Sequence, residues 1–305
     1  LVVEVKFADW IGADWGTSRL RAWAMSASGE EIAAASSEDG CGSLAPGQFE
    51  DALVKLISPW LQGQKITVLI CGAAGGREGW VATPYARVPC RPDDFVFTTV
   101  PCLHSLLDVH LINGVSQASP ADVMRGEETQ IAGFLSLNPG WDGVICLPGT
   151  HTKWAHISAG EIVSFQTFMT GEIFGALTKN TLLRHTISSE DWDDAAFLRA
   201  VDESISKPER FAARLFSLRA EDLLTGTEGS APRARLSGFL IGAELAAARP
   251  YWLGQNIALL GTEYLGRQYG AALAAQGAPV TIVNSSRMTI AGLNLARRSL
   301  IAGQK

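Results

Sequence analysis

Two short stretches of this 305-residue chain combine glycine with hydroxyl side chains in a way that suits anion chemistry. Gly16-Thr17 and Gly149-Thr150 each follow one apolar run and precede another, the pattern of a β-hairpin corner. A tight corner gathers backbone N–H groups and hydroxyls into a small concavity, which suits polyphosphate oxygens without a high count of lysines. Taken singly, each pair is better read as a turn glycine followed by a strand threonine. Asp14 adds a carboxylate inside the apolar run before the first corner, beside Trp15. A buried, unpaired charge is costly, so Asp14 has to reach a cation, a hydrogen-bond network or the edge of a cleft. A Mg²⁺ ion held through water fits, because Mg²⁺ keeps most of its hydration shell and needs only one or two carboxylates beside phosphates.

The elements that must position these groups occur twice. Trp10 to Trp15 and Val144 to Pro148 lead into the corners, and Arg19 to Met25 and Thr152 to Ile157 lead away. A Gly-Glu turn, Gly29-Glu30 or Gly160-Glu161, then opens a third strand-like run, Ile32 to Ser36 or Ile162 to Phe168. Ile66 to Gly72 and Ile257 to Gly261 read as buried parallel strands. A helix is expected near Pro46 to Leu61, another from Glu263 to about Ala275, then a strand from Pro279 to Val283 and a closing helix from about Ser286 to Ala302. The order three β, α, β, α, β, α, written twice, predicts an α/β protein of two similar lobes with a cleft between them. The polar, Arg- and Glu-rich stretch over 184–232 reads as a helical insertion in the second lobe.

Composition narrows the function classes. With 47% hydrophobic residues, 18% charged and a formal charge of −6, the chain can bury a large core. A mean hydropathy of +0.13 excludes disorder for the bulk of it. A pI near 5.4 argues against nucleic acid as a partner, and leaves an anionic ligand to a few placed cations and N–H groups. No apolar run approaches a membrane span, and the start does not read as a secretory signal, so a cytoplasmic location is expected. The five cysteines are odd in number and widely spaced, and read as reduced thiols.

The segments Asp14 to Trp23, Met124 to Gln130, Leu147 to Trp154, Met169 to Glu172 and Gly238 to Glu244 resemble, in order, the 2-dehydro-3-deoxygalactonokinase family. That resemblance spans nearly the whole chain and implies the fold of the sugar kinase, heat-shock protein and actin superfamily, two ribonuclease-H-like (actin-like ATPase) lobes around a nucleotide. The lobes would be 1–135, mainly the sugar-acid side, and 136–305, mainly the nucleotide side. It implies MgATP-dependent phosphorylation of the 6-hydroxyl of 2-dehydro-3-deoxy-D-galactonate in galactonate breakdown. The partners would be ATP, Mg²⁺ and a small sugar acid, with monomer and homodimer both open.

By the same resemblance, Asp14, Gly16, Thr17 and Ser18 form a first phosphate loop with Asp14 toward Mg²⁺. Gly149, Thr150, His151 and Thr152 form a second, and Gly261 and Thr262 an adenosine-side loop. Thr262 is also a good helix N-cap. In related sugar kinases the base is an Asp after a Gly at a helix start. Glu127 holds that place here, with Glu128 as the fallback, although acidic residues are common in a first helical turn. The substrate carboxylate calls for an arginine fork. Arg77, in the glycine-rich turn containing Gly75, is favoured over Arg125, and either could be a surface ion pair instead. Thr170, Gly171 and Glu172 are expected to line the cleft or to cap a helix.

Rival readings are a nucleotide-dependent oxidoreductase, a kinase for another acid such as 2-dehydro-3-deoxygluconate, and an actin-like switch ATPase. The first fails on the spacing of Gly72, Gly75, Gly76 and Gly79, and on Pro84, which interrupts the helix a dinucleotide motif demands. His151 and His156 lack zinc-ligand company. A switch would predict an added domain, whereas two lobes use up this length.

Overall fold

A computed structural model describes residues 7–187, 191–226 and 231–303. The chain divides into two compact units: residues 1–141, 159–163 and 285–305 form one, and 142–158 with 164–284 form the other.

In the first unit, β1 (Trp10–Trp15), β2 (Leu20–Met25) and β3 (Glu31–Ser37) make an antiparallel meander, followed by α1 (Phe49–Ile57) and β4 (Ile66–Gly72). Then come β5 (Tyr85–Arg87), β6 (Phe97–Val100), β7 (Leu107–Ile112), β8 (Gly114–Ala118), β9 (Ala121–Met124) and α2 (Glu127–Leu137). The main sheet runs β3-β2-β1-β4-β7-β6, and β5, β8 and β9 form a small separate sheet. β4 is parallel to both β1 and β7. The central strands β1 and β4 are nearly continuous apolar runs because both faces are covered. Edge strand β3 carries Glu and Ser instead.

The second unit repeats the plan, with the opening residues of its third strand, up to Val163, counted in the first unit. β10 (Gly143–Leu147), β11 (Thr152–Ser158) and β12 (Glu161–Phe168) precede α3 (Thr170–Asn180), α4 (Asp194–Ser206), α5 (Phe211–Thr225), α6 (Pro232–Ala247) and α7 (Arg249–Trp252). β13 (Ile257–Gly261), α8 (Glu263–Ala275) and β14 (Val280–Asn284) follow. Its sheet runs β12-β11-β10-β13-β14, the same order as the first without the added edge strand. Both sheets have the ribonuclease-H-like arrangement, which establishes the two-lobed α/β fold. The insertion over 184–232 contains α4 and α5, and α4 packs closely on α6.

Two expectations need correction. No α-helix separates β4 from β7: residues 73–106 form a 3₁₀ turn (Ala73–Gly75) and strands β5 and β6. Pro84, Pro89, Pro92 and Pro101 explain this, since each removes a backbone donor that a helix interior needs. The closing helix α9 (Ser285–Gly303), assigned by the repeat to the second lobe, belongs to the first unit, whose leading segment also extends to 141 instead of 135. The reason is a backbone-to-backbone crossing of α9 on α2: a Cβ on Gly292 would lie 1.9 Å from the Thr129 carbonyl oxygen, and one on Gly133 would lie 2.0 Å from that of Met288. Among the described residues no helix is long and apolar enough to cross a membrane.

Candidate active site

The first corner is fixed from below. Trp15, fully buried, packs at 5.4 Å from Phe49 and 5.9 Å from Trp80, and its indole N–H donates to the Asp39 carbonyl at 2.8 Å. The Gly16 N–H donates to the Arg19 carbonyl at 2.9 Å and closes the turn. The carbonyls of Gly16 and Thr17 accept from the N–H groups of Cys41 and Gly42 at 3.0 and 2.8 Å. These contacts consume carbonyls and leave the side chains of Thr17 and Ser18 exposed.

Asp14 is the penultimate residue of β1, directly opposite Arg21 in the antiparallel register. Its Oδ2 accepts from the Arg21 guanidinium, which also donates to the Ser286 hydroxyl at 2.9 Å. Burial pushes the Asp14 carboxyl above its ordinary range; Arg21 pulls it down and the charge of Glu127 pushes it up. Arg21 is thus the cation that Asp14 required, and sequence reasoning did not name it. The hairpin register carried the signal, because a corner at Gly16 to Arg19 sets residues 14 and 21 opposite each other.

The ends of β1 and β4 and the head of α2 converge on this carboxylate. Gly126, at φ 104°, caps α2; a Cβ there would lie 3.1 Å from the Cα of Gly72 and 3.9 Å from Asp14 Oδ1. Only glycine combines that φ with that approach. The two acidic residues that follow have separate fates. Glu128 is 2% exposed, and its oxygens accept from the Gly126 N–H at 2.7 and 2.9 Å and from the Thr129 hydroxyl at 3.1 Å. Burial, with the neighbouring Glu127 charge, pushes its carboxyl up to about 7. Glu127 is half-buried, with Oε2 accepting from the Arg125 N–H at 3.0 Å.

Arg125 and Gly75 meet, while Arg77 stands apart. The Arg125 guanidinium lies 4.1 Å over the Tyr85 ring and donates to the hydroxyl of Thr83 and, at 3.1 Å, to its carbonyl. A Cβ on Gly75 would come within 3.0 Å of Arg125 Nη1, so the glycine makes room for the guanidinium. Arg77 is exposed, with no ion pair among the described residues.

In the second unit, the corner Gly149-Thr150 is closed over by the start of α3. The Glu172 N–H donates to the Thr150 carbonyl at 2.9 Å, and a Cβ on Gly171 would lie 2.3 Å from the Gly149 carbonyl oxygen. The His151 and Glu172 side chains are hydrogen-bonded. Thr152 is fully buried and its hydroxyl pairs with that of Tyr269 at 3.0 Å, so it braces the corner from inside. Thr170 donates to Glu244, a buried carboxylate that also accepts from the Trp154 indole and the Tyr269 hydroxyl, each at 2.8 Å. Burial pushes Glu244 up to about 7 against these bonds.

Gly149, Thr150, Thr170 and Gly171 line one side of a cavity of about 260 Å³, and Phe174 and Tyr264 line another part of it. Gly261 is buried, and Thr262 caps α8, its hydroxyl accepting from the Leu265 N–H at 3.4 Å. Sequence reasoning missed Phe174, Tyr264 and Gln268, another residue of the wall. Helical spacing could have found part of it: Phe174 lies one turn beyond Thr170, and Gln268 one turn beyond Tyr264.

The model of the family described as 2-keto-3-deoxy-galactonokinase matches residues 14–296. A protein of Rhizobium meliloti (strain 1021), described as a probable 2-dehydro-3-deoxygalactonokinase, is 34% identical over 295 residues, covering 94% of this chain and 96% of the relative. The 2-dehydro-3-deoxygalactonokinase of Escherichia coli (strain K12) is 32% identical over 296 residues, with the same coverage of each chain. A crystal structure from Sinorhizobium meliloti, whose protein carries that name provisionally, superposes with a TM-score of 0.89 at 34% identity, covering 95% of this chain and 96% of the other.

Proposed function

Because this chain belongs to the 2-keto-3-deoxy-galactonokinase family, we propose that it transfers the terminal phosphoryl group of ATP to the 6-hydroxyl of 2-dehydro-3-deoxy-D-galactonate. The products are 2-dehydro-3-deoxy-6-phosphogalactonate and ADP. The observation that carries this reading is the family match along residues 14–296, which takes in every strand of both repeated sheets from the end of β1 onward.

The geometry supports the following roles. In the second unit the nucleoside enters the cavity beside Phe174 and Tyr264, and its phosphates reach the Gly149-Thr150 corner, with His151 at its rim. In the first unit Gly16, Thr17 and Ser18 offer N–H and hydroxyl donors to phosphate oxygens. Glu127 accepts the proton of the 6-hydroxyl as that oxygen forms its bond to the γ-phosphorus and the bond from phosphorus to the β–γ bridging oxygen breaks. Glu128 caps the helix and leaves the base role to Glu127. Gly75 and Arg125 form the seat of the substrate carboxylate.

Asp14 suits Mg²⁺. Its Oδ2 is engaged by Arg21, while Oδ1 lies toward Gly72 and Gly126. Among the described residues no three or more His, Cys, Asp or Glu side chains group as a metal site. A single carboxylate meets the modest demand of an ion that keeps its water and binds phosphates. When bound, the ion would neutralise charge on the triphosphate.

A coupled ADP-release assay over a panel of sugar acids, with the phosphorylated carbon located by NMR, tests the proposal. ADP release should rise strongly with 2-dehydro-3-deoxygalactonate and much less with 2-dehydro-3-deoxygluconate, with phosphorus coupled at C6. ADP release indifferent to every sugar acid would sink it. Within the same assay, Arg125→Ala should raise the sugar-acid KM by about 10- to 100-fold and spare that for ATP. Arg125→Lys should recover little, since a lysine cannot reproduce the planar fork. A larger rise from Arg77→Ala would return the carboxylate to that residue.

A further inference from the structure

Among the described residues the small sheet β5-β8-β9 has no counterpart in the second unit. Its registers pair Tyr85 of β5 with Gly114 of β8, and Val115 of β8 with Met124 of β9. Carried one residue further, the second register sets position 125 opposite Gly114. Tyr85, Gly114 and Arg125 then form one row across the sheet, with directly opposed residues on the same face. The middle of that row is bare. A Cβ on Gly114 would lie 2.9 Å from two carbons of the Tyr85 ring and 2.6 Å from the Met124 carbonyl oxygen. Glycine therefore lets the ring lie across β8 and meet the guanidinium from the far side, 4.1 Å from the ring centroid.

The row fixes an arginine that the protein leaves without a counter-charge. Its guanidinium donates to the carbonyl of the buried Thr83 at 3.1 Å and to the Thr83 hydroxyl, which donates in turn to the Gly75 carbonyl at 3.3 Å. Among the described residues no salt bridge joins Arg125 to an acidic side chain. The cation is thus held by its edge on Thr83 and by its face on Tyr85, and an anion is still to come. A long side chain that must be ordered on binding costs affinity, and one already immobilised does not. Resting on the reading that Arg125 seats the substrate carboxylate, we infer that Tyr85 is a positioning residue for that grip. Its ring fixes the plane of the guanidinium before the sugar acid arrives; its hydroxyl has no part in the role. Tyr85 is 41% exposed, so a substitution there removes the platform without hollowing the core.

A double-mutant cycle on the whole chain tests this, read as the KM for 2-dehydro-3-deoxygalactonate at saturating ATP, with kcat and the ATP KM measured alongside. Tyr85→Leu and Tyr85→Met should each raise the sugar-acid KM about 3- to 10-fold and leave kcat and the ATP KM within about twofold. Tyr85→Phe, which keeps the ring and drops the hydroxyl, should restore the KM to within about twofold of the unaltered protein. In an Arg125→Ala background neither Tyr85→Leu nor Tyr85→Met should raise the KM further, because the group that the ring positions is gone. The unbranched methionine keeps the test decisive if leucine disturbs β5. The inference is overturned if Tyr85→Phe loses as much as Tyr85→Leu, if the loss persists in full beside Arg125→Ala, or if the ATP KM rises in step with that for the sugar acid. An Arg125→Ala protein with an unchanged sugar-acid KM would overturn the carboxylate seat as well. A raised KM there, with none from Tyr85→Leu or Tyr85→Met, would overturn only the role of Tyr85.

Discussion

Glu127→Gln should lower kcat by about 10² to 10⁴ while leaving the KM for ATP within about threefold of its original value. Glutamine keeps the shape of the side chain and an oxygen to accept from the Arg125 N–H; what it would lose, in the proposed role, is the ability to take the substrate proton. Position matters as well, because residue 127 opens α2, where the helix dipole would favour negative charge on the proposed base and on a developing alkoxide. The substitution has a second readout in its neighbours. The Glu127 charge helps to push both Asp14 and Glu128 upward, so its removal should lower both carboxyl titrations in a carbon-13 NMR experiment.

A carboxyl raised by burial, as Glu128 is to about 7, contributes stability fully below its unfolded value near 4.5, and that contribution is lost as pH rises through about 7. In Glu127→Gln this loss should be smaller and completed at lower pH. Turnover near normal would remove Glu127 from the base role, and unchanged titrations of Asp14 and Glu128 would remove the electrostatic coupling.

Local pattern carried the parts of this fold that local physics decides. The two meanders were legible because a glycine corner between alternating runs leaves few other pairings, and α8 because Thr262 caps a periodic stretch. The prolines between residues 84 and 101 were equally legible signals against a helix, but the expectation of strict repetition overrode them. Asp14 announced its need for a cation, and the hairpin register could have named Arg21. The cavity was not legible, because Phe174, Ser237 and Gln268 come from three helices separated by long stretches of chain, brought together only by tertiary packing. Nor could local pattern place α9, whose partner α2 lies some 150 residues earlier.

That last contact sets up a large structural effect. Gly292→Ala should destabilise the first unit by about 2–4 kcal/mol, although alanine raises intrinsic helix propensity by about 1 kcal/mol. The added methyl would lie 1.9 Å from the Thr129 carbonyl oxygen and 2.8 Å from the Thr129 Cγ2, and a backbone oxygen cannot rotate aside as a side chain could. The helices must part. Parting them disturbs Leu293, which fills the space above Gly12 on β1, and the Arg21 to Ser286 bond that braces the partner of Asp14. It also shifts the start of α2, where Glu127 sits, so kcat should fall with stability even though residue 292 touches no substrate. Gly175→Ala supplies the control: it lies within α3, and a Cβ there meets nothing within 4 Å. It should stabilise by about 0.5–1 kcal/mol. Urea denaturation followed by tryptophan fluorescence reads both; equal effects from the two substitutions would mean that α9 does not press on α2 at this glycine.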